Sequence, residues 1–275
     1  MNEDQIERWN GPDADHWCDN ADRYDAQLAP FLDAIVRAAR IDGESVLDVG
    51  CGCGALSIAV APHAARVVGV DISERLLAVA RDRITNRGIR NVDFVVGDAQ
   101  TWTGTPRFDV LVSRFGLMFF DDPERAFTNL RANLRTGARM VFASWQGLGE
   151  QEWLLLPALA AAPFLEPDTT PPTSGPGMFA LAEPGFVESL LTASGFGDVQ
   201  LIDLRTTLSP GGPGTVADAV DFFAATGLAR AMLDGTTPAA RADAITAVTE
   251  VLADHHDGTA VHMSAAAWIV TATAE

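Results

Sequence analysis

The residues best placed to do chemistry lie between Asp48 and Asp71. There, two carboxylates bracket the alternate glycines Gly50, Gly52 and Gly54 in a D-x-G-x-G-x-G run. Glycines at such a turn allow positive φ and let a ligand come close to bare backbone. Asp71, at the tip of a predicted strand, sits where a ribose diol would lie, and a carboxylate can accept from both hydroxyls. The chemistry this predicts is nucleoside recognition. The spacing is not the G-x-G-x-x-G of dinucleotide folds, which set a pyrophosphate on a helix N-terminus. A nicotinamide dehydrogenase is further disfavoured because there is no plausible Tyr-Lys or His-acid pair, and all 19 basic residues are Arg.

The elements that must position these groups follow from the flanking pattern. Val46 to Val49, apolar except for Asp48, reads as a buried strand of a parallel sheet. Ala55–Ala61 reads as a short helix, and Val67–Val70 as a second strand ending at Asp71, which completes a βαβ unit. Ser73 is a good N-cap for a helix over Glu74–Asn86, stopped by Gly88. Val92–Val96 is a third strand, ending in Gly97-Asp98-Ala99. Phe108–Val112 is a fourth, followed by Ser113-Arg114-Phe115-Gly116. Asp122-Pro123 starts a helix that runs to about Asn133, and Met140–Trp145 is a fifth strand. Ligands of such sheets bind past the carboxyl ends of the strands, where Gly50, Asp71, Asp98 and Ser113 all fall.

The glycine run with Asp71 one strand later resembles motif I of the class I S-adenosylmethionine-dependent methyltransferases. FDVLVSRFGLMFF followed by Asp122-Pro123 resembles a bacterial subgroup near the ubiquinone/menaquinone methyltransferases and natural-product tailoring enzymes. The resemblance implies an α/β fold: a Rossmann-like, seven-stranded, mostly parallel sheet with helices on both faces, an antiparallel seventh strand and inserted helical lid segments. It implies S-adenosylmethionine as cofactor, which has no phosphates but carries a sulfonium and an ammonium, so the acid Asp48 beside the loop helps rather than repels. Gly50, Cys51, Gly52, Asp71 and Ile72 would surround it. Asp98 would take the adenine amine and the Ala99 N–H the ring nitrogen, although Gly-Asp is also common turn chemistry. Ser113 and Arg114 would lie beside the methionine end, with a surface ion pair as the other reading of Arg114. Tyr24, in a W…RYD-like stretch, matches a helix that closes over the cofactor; packing of Trp9, Trp17 and Tyr24 on the sheet edge is the alternative. Leu134–Ala138 resembles the family's L-x-P-G-G turn without its Pro and second Gly.

The implied reaction is in-line methyl displacement, which asks mainly for alignment and exclusion of water. A non-methylating cyclase or a binding protein that keeps the fold and the cofactor is the competing reading. Among the five histidines only His16, inside the proposed lid, could reach a reacting atom as a general base. His255-His256 reads as a solvated helix end. Cys51 and Cys53 read as small residues filling a tight loop, so no metal is expected.

The chain divides into an N-terminal helical lid over 1–40, a cofactor-binding core over 41–145, and 146–275, which combines lid and substrate insertions with the last two strands. Asp13–Arg40 looks mostly helical. Gln146–Pro184 is rich in Pro, Gly and Thr, and Pro163–Gly177 cannot be regular for long. Glu183–Ser194 resumes as helix, Val199–Leu204 is strand six, Ala217–Leu233 and Pro238–Asp254 are helices, and Ala266–Thr273 is the last strand. A net charge of −18 argues against nucleic acid and anionic membranes as partners. Met1–Asp25 is too acidic for a secretion signal and no apolar run approaches the roughly 20 residues needed to span a bilayer, so a cytoplasmic protein, monomer or homodimer, is expected. The segments outside the sheet are apolar and nearly free of basic residues, which suits an uncharged or cationic small-molecule acceptor from secondary or quinone-like metabolism.

Overall fold

In the computed structural model, which describes residues 3–165 and 175–275, four short helices precede the sheet: Glu3–Trp9 (α1), Pro12–Asp19 (α2), Ala21–Gln27 (α3) and Ala29–Ala39 (α4). The stretch expected to be mostly helical over Asp13–Arg40 is helical, in three pieces. Pro12 and Pro30 lack the N–H that would continue a helix and instead begin new ones. Ser45–Val49 (β1), Arg66–Asp71 (β2), Val92–Val96 (β3), Phe108–Arg114 (β4) and Leu134–Trp145 (β5) pair in parallel. Phe196–Leu208 (β6) and Met263–Ala274 (β7) complete a sheet of order 3-2-1-4-5-7-6, with β7 antiparallel to both neighbours. Val46, Leu47, Asp48 and Val49 are consecutive and all buried. Successive strand residues point to opposite faces, so helices cover the sheet on both sides. This is the Rossmann-like α/β architecture.

The connecting helices are Ala55–Val60 (α5), Glu74–Asn86 (α6), Pro123–Ala132 (α7), Glu152–Ala161 (α8), Pro184–Ala193 (α9), Val216–Ala224 (α10), Gly227–Leu233 (α11) and Pro238–Asp254 (α12). The Ser73 hydroxyl accepts from the Leu76 N–H at 3.2 Å and Asp122 from the Arg125 N–H at 3.0 Å, so both sequence-selected caps act at helix starts. The strand order reverses at β1, between β2 and β4, and that reversal opens a crevice past the carboxyl ends.

Three local expectations are corrected. Residues 134–139 form strand rather than only a turn: Leu134 pairs with Phe108 and Arg139 with Val110, so residues 135–138 bulge within β5 around Gly137 at φ 81°. The Pro-rich stretch after Trp145 contains α8, because burial of Leu154 and Ala161 outweighs the helix bond lost at Pro157; 166–174 lie outside the described residues. The helix expected over 217–233 breaks at Thr226, whose hydroxyl caps α11. Helices α8, α10, α11 and α12 close on their own apolar cluster, with Leu154, Val220, Phe223, Leu233 and Val248 at its centre. No described helix is long and apolar enough to cross a membrane.

Candidate active site

A cavity of about 350 Å³ opens at the carboxyl ends of β1, β2 and β4, roofed by α2 and α3 and by the inserted helices. Gly50, at φ 66°, closes its floor: a Cβ there would lie 2.7 Å from the Gly116 Cα, so β1 and β4 approach too closely for any side chain. Gly52, at φ 53°, has nothing within 4 Å of the same position and leaves the space above the turn open. Cys51 is buried, and its sulfur fills the groove over Gly69.

The two carboxylates are held differently. Asp71 accepts from the Gly52 N–H at 2.8 Å and the Ser73 N–H at 2.9 Å, one bond to each oxygen. Burial still pushes its carboxyl upward against those bonds. Asp48 accepts from the Ser57 hydroxyl at 2.6 Å through Oδ2, while Oδ1 is buried without a hydrogen-bond partner among the described residues. Burial, opposed by the Ser57 bond and the Arg114 charge, pushes Asp48 up to about 7. Asp98 accepts from the Gln100 N–H at 3.0 Å, an Asx turn that presents Ala99 to the same cavity.

Arg114 projects from the end of β4 with its guanidinium buried. Nη2 pairs with Asp25 of α3 at 3.0 Å, and Nη1 has no hydrogen-bond partner among the described residues. Asp25 also takes Arg83 of α6 at 2.9 Å, and Arg83 reaches Asp22 at 2.5 Å. These bridges tie α3 to the end of β4 through Arg114 and to α6 through Arg83, and the Arg114 pair is not the exposed ion pair considered for it. Farther out the walls are aromatic. Trp17 and Tyr24 stack with centroids 3.8 Å apart, and Phe115 stacks on Trp145 at 4.1 Å. Burial raises the Tyr24 hydroxyl well above its ordinary value, so that group stays protonated.

The structure brings His16, Tyr24, Asp48, Gly50, Cys51, Gly52, Asp71, Ile72, Asp98, Ala99 and Arg114 to the wall of this one cavity. Ser113 is the exception. It is buried behind the wall, where its hydroxyl donates to the Val49 carbonyl at 2.7 Å and accepts from the Gly116 N–H at 3.3 Å. Among the described residues, no group of three or more His, Cys, Asp or Glu is placed to hold a metal ion. Sequence reasoning missed Gln27, whose buried Oε1 is also without a partner among the described residues, and Asp25, which anchors Arg114. It also passed over Phe115, a buried aromatic at φ 61° whose strained backbone aims its ring along the cavity. Only the dipeptide Phe115-Gly116 at a strand end could have signalled that turn.

Residues 46–137 match a family described as a methyltransferase domain. The chain is 35% identical over 114 residues to a ubiquinone biosynthesis O-methyltransferase of Coxiella burnetii, covering 41% of this chain and 48% of that protein. It is 33% identical over 138 residues to the aklanonic acid methyltransferase DauC of a Streptomyces species, covering 48% and 57%. In these matches the chain spans about half the length of its curated relatives. The solved structure of YcgJ from Bacillus subtilis superimposes with a TM-score of 0.58 at 16% identity, over 89% of this chain and 97% of that one, a likeness of fold.

Proposed function

We propose that the chain is an S-adenosylmethionine-dependent methyltransferase acting on a small-molecule acceptor. The observation that carries this reading is Asp48: a buried carboxylate with one unpartnered oxygen, beside an open glycine turn. A buried acid without a partner is costly, and a ligand ammonium would relieve it; a phosphate there would meet like charge from Asp48 and Asp71. The donor set fits the rest of the cofactor. Asp71 has acceptor capacity left for a ribose diol, Asp98 and the Ala99 N–H suit an adenine edge, and the unpartnered Arg114 Nη1 suits the amino-acid carboxylate. Ile72, Cys51, Gly50 and Tyr24 supply apolar surface around it. Ser113 acts from behind by holding Gly116 against Gly50.

When bound, S-adenosylmethionine supplies an electrophilic methyl group on a sulfonium. The work left to the protein is to align an acceptor and exclude water, and the aromatic roof over Trp17, Tyr24 and Phe222 serves both. The helices of 1–40 act as the lid, latched through Asp25 and Arg114. The charge of −18 argues against nucleic acid as acceptor. The relatives named for ubiquinone biosynthesis and for aklanonic acid support a small-molecule acceptor. The test is transfer of labelled methyl from the cofactor to a panel of phenols, aromatic acids and amines, run beside tRNA and protein extracts. Labelling confined to small molecules is expected. Labelling of nucleic acid alone would overturn the acceptor class, and cofactor binding with no transfer to any class would favour the non-methylating alternative.

A further inference from the structure

His16 reaches the cavity from α2, and its Nε2 is buried with no hydrogen-bond partner among the described residues. What that nitrogen can do depends on where the ring proton sits. Asn20 fixes this. Its Nδ2 donates to the His16 carbonyl at 2.9 Å, and its Oδ1 accepts from Arg23 at 3.4 Å, so turning the amide over would break both bonds. The same Nδ2 lies 3.3 Å from His16 Nδ1. Nδ1 is therefore the acceptor, and the proton of the neutral ring is on Nε2, facing the cavity. A general base would need the opposite tautomer.

Charged groups of both signs surround the ring. The charges acting on the ring are Arg230 and Arg23, opposed by Asp13 and Asp19. Asp13 is already shared between the guanidinium groups of Arg8 and Arg230, which come from opposite ends of the chain. Arg23 lies over the Phe222 ring at 4.8 Å. Arg23 and Arg230 are thus held behind the cavity wall, and Arg230 is brought to α2 from the far end of the chain. The rings of Tyr24 and Phe222, with centroids 5.8 and 5.3 Å from His16, bound it with flat apolar surface.

We propose that His16 receives the acceptor as an Nε2–H donor and not as a base, and that the acceptor enters with its reacting oxygen already ionised, a carboxylate or acidic phenolate on a planar apolar body. This rests on the methyltransferase reading above. The balance of the step is simple: the O–CH3 bond forms as the S–CH3 bond breaks, the anionic oxygen and the sulfonium charge cancel, and no proton has to leave the site. Burial and the arginines lower the pKa of His16, and both the neutral ring and the imidazolium present Nε2–H, so the donor persists as the pH falls.

Nitrogen-15 NMR of histidine-labelled protein, with His16 assigned by its loss in His16→Gln, reads the tautomer without any ligand. Protonated Nε2 is expected, and protonated Nδ1 would overturn the proposal. Binding is read with 4-nitrophenol as the ionised probe and 4-nitrobenzyl alcohol as its neutral counterpart at pH 8. A hydrogen bond to a charged group corresponds to roughly tenfold or more in affinity. The phenolate should therefore be preferred by about that factor; His16→Gln, which keeps an N–H but cannot take a proton, should retain the preference, and His16→Leu should lose it. Equal binding of the two probes, or His16→Gln behaving as His16→Leu, would overturn it. Titration of the same samples with S-adenosylhomocysteine separates the two readings: wild type that shows the tautomer and the phenolate preference but binds no cofactor product would fail the methyltransferase reading alone.

Discussion

Gly50 and Gly52 are two residues apart, share the left-handed conformation, and should fail in opposite ways when replaced by alanine. A non-glycine residue in that conformation costs roughly 1–2 kcal/mol, and both variants bear this. At Gly50 the new Cβ would also lie 2.7 Å from the Gly116 Cα, and backbone on both sides must open by about 0.7 Å before the contact becomes ordinary. Overpacking of that kind adds roughly 1–3 kcal/mol, so Gly50→Ala should lose about 2–5 kcal/mol of stability. At Gly52 nothing lies within 4 Å, so Gly52→Ala should lose only the conformational part, about 1–2 kcal/mol. Its methyl group, however, projects into the space assigned to the ligand. Urea unfolding of the ligand-free protein, with slopes compared to verify two-state behaviour, measures the first effect, and calorimetry with S-adenosylhomocysteine measures the second. Equal destabilisation by both variants, or wild-type affinity in Gly52→Ala, would show that the two glycines do not divide these roles.

Asp48 should make the ligand-free protein lose stability as pH rises. Its native carboxyl titrates at about 7 against roughly 3.9 unfolded, so its contribution is present below about pH 4 and lost on the way to pH 7; unfolding curves of Asp48→Asn should lack that part of the slope, and parallel curves would contradict it. Asp71→Asn puts an amide donor against one of two backbone donors, so it should cost roughly 1–3 kcal/mol even without ligand, a loss that thermal unfolding would detect. Asp25→Ala leaves the partly buried Arg114 and Arg83 without their shared acid and should loosen the roof; hydrogen exchange should rise across 3–27 while the strands stay protected, and unchanged exchange would argue against the latch.

The sheet was legible because its signals are local. Strands β1 to β4, the cap at Ser73, and Asp122-Pro123 each announce themselves within a few residues. Gly50, Asp71, Asp98 and Arg114 sit at or just past strand tips, so a reading of strands places them together without tertiary knowledge. The N-terminal aromatics show the limit. On a continuous helix their spacing would put them on one side; the chain instead restarts at Pro12 and again after Asn20, yet Trp17 and Tyr24 still stack because α2 and α3 remain neighbours. What the sequence hides is assembled from distance. Arg8 and Arg230, from opposite ends of the chain, meet on Asp13 beside His16, a junction that no local pattern announces. The tautomer of His16 likewise depends on Asn20 and Arg23 acting together in three dimensions.

On the reading proposed above, the glycine-turn cavity takes a nucleoside bearing an ammonium beside Asp48. Calorimetric titration with S-adenosylhomocysteine near pH 6.5, repeated in buffers of different ionisation enthalpy, tests it most directly. A bound ammonium would pull the Asp48 pKa down from about 7, so one ligand should bind per chain with release of a substantial fraction of a proton, seen as a buffer-dependent heat, and NAD should give none. Absence of binding, tight binding of NAD, or binding with no proton released would contradict the account.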